Sequence, residues 1–283
     1  MSMVGTLLLF LVIFVVSMVD VIEPGLNDGV LAFPLIYAGL AAAEALVLSL
    51  ALERATSRGW KLFIALFLVV YGMTAFLIGV EAVYLTDILT PDLVRKLFVN
   101  GAVAAMLTSA AAVALNKVPQ ENVEETESSV SYPGWPGAVW RIPLSGLIYL
   151  TLYIAGGMLI AQPLATVLEP EIAPAYFEAF TPDNPMAILG FQFLRGMLWA
   201  LLSLPLLHQL RGSRIGQGVV LGLLFGVLMG LQNLVPNELV FGIRLGHTVE
   251  VLVENFGYGI AIAWLFGARK ADRASNSSEE KGG

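Results

Sequence analysis

Eight apolar runs of about 20 residues fill this chain, roughly at 3–22, 30–52, 60–85, 93–115, 142–168, 186–207, 215–234 and 243–266. At about 1.5 Å of rise per residue, each run is long enough as a helix to cross the roughly 30 Å hydrocarbon core of a bilayer. Lipid offers a bare peptide group no hydrogen-bond partner, so only helices and closed barrels can span it. The runs are continuous and do not alternate, which excludes barrel strands. The sequence therefore predicts an all-α integral membrane protein with eight transmembrane helices and the lipid bilayer as its main partner. The composition agrees. Of 283 residues, 57% are hydrophobic and 13% are charged, against about 25% charged in soluble domains.

Several function classes drop out early. The chain has no cysteine, so disulfides and thiolate metal sites are excluded. A net charge of −7 argues against nucleic acid as a partner. The first run lacks a basic leader and a small-residue cleavage site, and Asp20-Val-Ile-Glu-Pro24 follows it like a helix exit. It is read as a retained span and not as a signal peptide.

Basic residues set the orientation. Arg54, Arg58, Lys61, Lys117, Arg141, Arg211, Arg214, Arg269, Lys270, Arg273 and Lys281 fall on one side with both termini. The other side has Arg95, Lys96 and Arg244, and its loops carry Asp20, Glu23, Asp28, Asp87, Asp92, Glu169, Glu171, Glu178 and Asp183. The expectation is a multi-pass protein of the plasma (inner) membrane with cytoplasmic N- and C-termini. The loop 169–184 is the longest outer one, and its Tyr176 and Phe177 are expected to fold over the outer mouth. Trp60, Tyr84, Trp135, Trp140 and Trp264 fall near the interfaces, as an aromatic belt does.

The chain divides into a first four-helix half (1–115), a polar acidic cytoplasmic linker (116–141), a second four-helix half (142–268) and a disordered tail (269–283). The halves share a layout. Ile22-Glu23-Pro24 and Leu168-Glu169-Pro170 end their first spans, Ser57-Arg58 and Ser213-Arg214 occupy equivalent turns, and Asn100 and Asn255 occupy equivalent places in their last spans. Four spans per half make the repeat a parallel 4+4 one, with an axis along the membrane normal and sites expected between the halves. In the seventh span Gly218, Gly222, Gly226 and Gly230 form a row on one helix face, a device for close packing within the subunit. Pro163 is expected to break the fifth span and Pro205 to kink the sixth.

Charges inside the runs are the candidates for function. In 244–259, RLGHTVEVLVENFGYG, the residues Arg244, His247, Glu250 and Glu254 share a helix face, and Tyr258 extends it inward. Glu254 lies about 15 Å from Arg244 along the axis. A charge at that depth needs a partner, a proton or water. The sixth span offers Arg195, with Gln192 and Trp199 on the same face. A bidentate Arg195–Glu250 pair is expected. Glu44, set among alanines in the second span, and Glu254 then lack a base. Burial favours the protonated carboxyl, so at least one of them is expected to be neutral.

His208 and His247 stand toward opposite ends of their spans and cannot bracket a haem. His247, Glu250 and Glu254 make at best a weak, hard-ligand metal site. Neither a His-Glu-x-x-His motif nor a P-loop is present. No metal or cofactor is expected. The favoured reading is a carrier or binder of a small anionic or proton-coupled solute. The rival is a non-catalytic membrane subunit or scaffold whose buried charges set helix register. An intramembrane enzyme comes third.

Overall fold

In a computed structural model the apolar runs are helices. The structure describes residues 2–19, 32–85, 90–116, 130–131, 135–179, 185–235, 239–267 and 269–270. Asp20, Glu23, Pro24, Asp28, Asp87 and Asp183 lie outside the described residues, as do 117–129 of the acidic linker and 271–283 of the tail.

The order is α1 (Met3–Val19), α2 (Ala32–Glu53), α3 (Gly59–Tyr71), a π turn (Gly72–Phe76), α4 (Leu77–Leu85) and α5 (Pro91–Leu115). The strand β1 (Val130–Ser131) follows, then α6 (Trp135–Gly156), a second π turn (Gly157–Ala161), α7 (Gln162–Leu168) and α8 (Ala173–Ala179). The chain ends with α9 (Pro185–Leu207), α10 (Arg214–Gly230), a 3-10 turn (Leu231–Leu234), α11 (Phe241–Phe266) and β2 (Arg269–Lys270). Apart from the two-residue antiparallel pairing of β1 with β2 the protein is helical among the described residues. Seven of its helices are long and apolar enough to cross a membrane, counting α3–α4, α6–α7 and α10 with its 3-10 turn as one helix each. The exception among the expected spans is α1, whose 17 residues rise about 26 Å.

The spans deform where the sequence forces them to. Pro163 has no N–H and its ring crowds the carbonyl four residues back. The chain absorbs this with the π turn Gly157–Ala161, and the fifth span runs on as helix to Leu168 without breaking. In the third span Thr74 Oγ1 donates to the carbonyl of Val70 at 2.8 Å within the other π turn. Pro205 does not interrupt α9, which runs helical from Pro185 to Leu207.

The helices before and after the linker pack alike. Before it, α1 lies against α2 and α5, and α3 against α5. After it, α6 lies against α9 and α11, and α10 against α11. The two sets meet along α2 with α10 and along α3 with α9. At one end of the bundle the turn after α2 pairs antiparallel with the turn after α9. Arg211 N donates to Arg54 O at 2.8 Å and Thr56 N to Gln209 O at 2.7 Å. The likeness has limits, since Asn255 is buried and Asn100 is exposed. Trp60, Trp140 and Trp264 all sit near this turn end, exposed, where amphipathic rings meet the bilayer interface.

The tightest seam is α10 on α11. A Cβ at Gly222 would come within 2.6 Å of Phe256 O, one at Gly226 within 3.0 Å of Leu252 O, and one at Gly218 within 3.0 Å of Ile260 Cα. Gly230 likewise faces Leu252, and Gly259 of α11 answers with its backbone against Gly222. In lipid, close backbone approach supplies the dispersion contacts that hydrophobic burial supplies in water. Tyr149, Trp199, Phe225 and Tyr258 then fill the space between α6, α9, α10 and α11, with Tyr149 edge-on to Trp199 and Tyr258 at centroid distances of 5.0 and 5.1 Å.

Candidate functional site: a carboxyl-rich cluster

The cluster lies toward the end of the bundle that carries α8. On α9 the step of three and four brings Gln192, Arg195 and Trp199 to one buried face. That face meets α4, and the partner of Arg195 is there. Arg195 Nη1 donates to Glu81 Oε2 at 2.6 Å. Gln192 Nε2 reaches the other oxygen of Glu81 more weakly, at 3.4 Å. The guanidinium lies over the Trp199 ring, with Cζ 4.6 Å from its centroid. This arrangement overturns the expected Arg195–Glu250 pair. Helical phase places Arg195 and Glu250 on inward faces, but α6 packs against both α9 and α11 and each residue faces a different neighbour.

Glu250 turns instead to its own helix and to α6. Its Oε2 lies 2.8 Å from Nδ1 of His247, one turn earlier. Its carboxyl also lies against the second π turn, where a Cβ at Gly157 would stand 3.4 Å from Oε1. Gly156 lies between Glu250 and Glu254, since a Cβ there would stand 3.1 Å from Glu250 Cγ and 3.6 Å from Glu254 Oε2. Two glycines at the π turn thus make room for two carboxyls. Tyr149 is within hydrogen-bonding reach of Glu254, and Tyr149 and Tyr153 both lie among the charges of Glu81, Arg195 and Glu254.

Exposure grades along α11. His247 is 36% exposed, while Glu250 and Glu254 are buried. Tyr176 of α8 packs edge-on against the His247 ring at 6.5 Å, which sets this part of the 169–184 segment beside the cluster. Glu169 Oε1 accepts from Gly242 N at 3.0 Å, capping the start of α11. At the cluster floor the Tyr258 hydroxyl donates to the carbonyl of Gly196. That bond ties α11 to α9 directly, and Tyr258 is wholly buried.

Of the residues singled out from sequence, Arg195, Gln192, His247, Glu250, Glu254 and Tyr258 come together, and Glu44 does not. Glu44 sits on α2, where Gln232 Nε2 donates to its Oε1 at 2.9 Å across the seam with the second half. Sequence reasoning missed Glu81, Tyr149 and Tyr153. Glu81 was detectable, being a carboxylate within the apolar run 60–85. The two tyrosines were not, because a tyrosine in an apolar run resembles ordinary core.

The charge balance is the main property of the site. Glu81 pairs with Arg195 and Glu250 with His247, and Glu254 has no base of its own, so full ionisation leaves two negative charges uncompensated, or one if His247 is protonated. Four buried polar atoms here have no hydrogen-bond partner among the described residues: Glu254 Oε1, Arg195 Nε, Gln192 Oε1 and Trp199 Nε1. Buried polar atoms are rarely left so, and four in one cluster suit an exchangeable species such as a proton, water or a ligand. No three His, Asp or Glu side chains among the described residues are placed to hold a metal ion.

No protein-family model, curated protein or solved structure matches this chain.

Proposed function

We propose that this protein is a proton-coupled carrier or binder of a small solute, working through the cluster of Glu81, Gln192, Arg195, His247, Glu250 and Glu254. The observation that carries the reading is three carboxyls within membrane-spanning helices, of which Glu81 pairs with Arg195, Glu250 with His247, and the buried Glu254 with no base. Ionisable groups at that depth are costly and mark substrate or proton pathways. Protons make up the missing positive charge. His247, half-exposed and bonded to Glu250, is the entry for them, and Glu254, one turn deeper, is the end of the relay. Arg195 is already compensated by Glu81, which disfavours a free anion as the solute unless it displaces that carboxylate.

The architecture that goes with this reading has eight spans in two parallel four-helix halves, residues 1–115 and 142–268, joined by the linker. The shared packing scheme and the antiparallel pairing of the turns after α2 and α9 support the repeat. Packing of α1 on α2 and α5, as α6 packs on α9 and α11, supports α1 as the eighth span. By the distribution of basic residues the turn end is cytoplasmic, both termini lie there, the membrane is the plasma (inner) membrane, and the cluster opens outward.

A scaffold reading has its own support. The Arg195–Glu81 pair, the stacking on Trp199 and the Tyr258–Gly196 bond would also serve to fix helix register. Trp199 separates the two. Its ring sits under the guanidinium, so proton binding nearby changes its emission. The carrier reading predicts a pH-dependent fluorescence step that is lost in Trp199→Phe and shifted or lost in Glu254→Gln, in protein that still folds. A flat response in the wild type contradicts it and favours the scaffold.

A further inference from the structure

We propose that the paired turns after α2 and α9 form a docking surface for an anionic phospholipid, whose phosphate meets basic side chains from both turns while its acyl chains lie along the spans that begin at Trp60 and Ile215. The turns and the helix starts that follow them, 53–62 and 208–217, hold Arg54, Arg58, Lys61, Arg211 and Arg214 against a single acid, Glu53. That is a local excess of positive charge in a chain whose net charge is −7.

The backbone brings these cations together from distant parts of the chain. Arg211 N donates to Arg54 O at 2.8 Å, and Gln209 Nε2 donates to the Lys61 carbonyl at 3.2 Å. Arg54 reaches across to α10, where its Nη1 donates to Gly216 O at 3.0 Å. A Cβ at Gly216 would stand 2.8 Å from that nitrogen, so the glycine leaves room for the guanidinium. Arg211 crosses the other way and donates from Nη2 to Glu53 O at 2.6 Å. Both acceptors are neutral carbonyls, so these bonds hold the guanidiniums in place without cancelling their charge. Arg54, Arg58 and Lys61 are exposed. Like charges gathered in this way repel one another, and a phosphate among them offsets the repulsion through charge-assisted hydrogen bonds.

Placement selects a lipid over other anions. Trp60 and Ile215 are 68% and 76% exposed, and they stand at the starts of two membrane-spanning helices, next to the cations in sequence. Exposed aromatic rings at the ends of spans lie at headgroup depth, where basic side chains attract anionic lipid. The surface thus offers charge and apolar area in the order in which a phospholipid presents its phosphate and its chains. A soluble anion would use the charge alone, and a zwitterionic headgroup brings no net charge to it. The inference is independent of the Arg195 cluster, which lies toward the other end of the bundle.

The test is native mass spectrometry of the detergent-purified protein titrated with phosphatidylglycerol or with phosphatidylcholine, with thermal unfolding of the same mixtures. Two double variants accompany the wild type. Arg58→Gln with Lys61→Gln removes two exposed cations from the surface. Arg95→Gln with Lys96→Gln removes the same charge at the opposite end, where both side chains pair with Asp92.

The expected result is a preference of about tenfold or more for phosphatidylglycerol in the wild type, with a raised unfolding midpoint. The Arg58 and Lys61 variant should lose that preference by about tenfold, and the Arg95 and Lys96 variant should keep it. High salt should weaken it in the wild type. Should the Arg58 and Lys61 variant fail to fold, the salt dependence decides, and a preference that survives high salt overturns the proposal. No preference, an unchanged preference in the Arg58 and Lys61 variant, or an equal loss in both variants also overturns it. Equal stabilisation by inorganic phosphate would make this a surface for a soluble anion and contradict the lipid assignment. Binding that emerges only after Glu124→Gln and Glu125→Gln would give the surface to the chain's own acidic linker, and the proposal would fail.

Discussion

Arg195 and Glu81 hold each other in a place where neither is stable alone. Replacing one partner of a buried ion pair strands the other charge, at about 3–5 kcal/mol for a fully buried pair. Glu81 is 32% exposed, so water recovers part of that, and Glu81→Gln is expected to cost roughly 2 kcal/mol of stability. Glu250→Gln loses only a bond to a half-exposed histidine, at about 1 kcal/mol or less. Denaturation of both variants in detergent checks the order, and it would reverse if Arg195 relied on Glu250. The charges themselves were legible in the sequence, because a basic or acidic residue in an apolar run stands out. Their pairing was not. Helical phase says which face a residue occupies and is silent about which helix that face meets.

At the scale of elements the seam between α10 and α11 is set by its glycines. A methyl group at Gly222 runs into the Phe256 carbonyl, and backbone cannot move aside as a flexible side chain can. Gly222→Ala is expected to destabilise by about 1–3 kcal/mol through overpacking. Gly190→Ala, on an equally helical stretch with open space, is expected to be neutral or slightly stabilising, since alanine is the better helix former. Melting temperatures of the two variants side by side test this. A Gly222→Ala protein as stable as the wild type would mean that the two backbones are not in close approach. The four-residue spacing announces a packing face but does not name its partner. The π turns were half legible. Pro163 marked a disturbance in the fifth span, yet the sequence could not show that the helix would absorb it one turn earlier and so make room at Gly156 and Gly157 for two carboxyls.

At the scale of the whole molecule, the helices before and after the linker pack alike and meet at α2–α10, at α3–α9 and at the turns after α2 and α9. The all-helical, multi-pass character was legible from apolar length, and seven of the eight expected spans are long and apolar enough to cross a membrane. The antiparallel pairing of the two turns was not, because it depends on how the halves face each other. The proposed orientation has a direct test, since the natural chain contains no cysteine. A cysteine at Ser213, in the turn between α9 and α10, should resist a membrane-impermeant maleimide in intact cells. One at Glu171, beside α8, should react. The reverse pattern would invert the topology and turn the cluster toward the cytoplasm.

The central claim is that the cluster around Arg195 carries an exchangeable proton. Infrared difference spectroscopy on the reconstituted protein, stepped from acidic to alkaline pH, reads it most directly. The account predicts a carboxylic-acid C=O band that disappears as pH rises, shifts in D2O and is missing in Glu254→Gln. A wild-type spectrum without such a band, or one unchanged by Glu254→Gln, would contradict the account and leave the buried charges as a clip between helices.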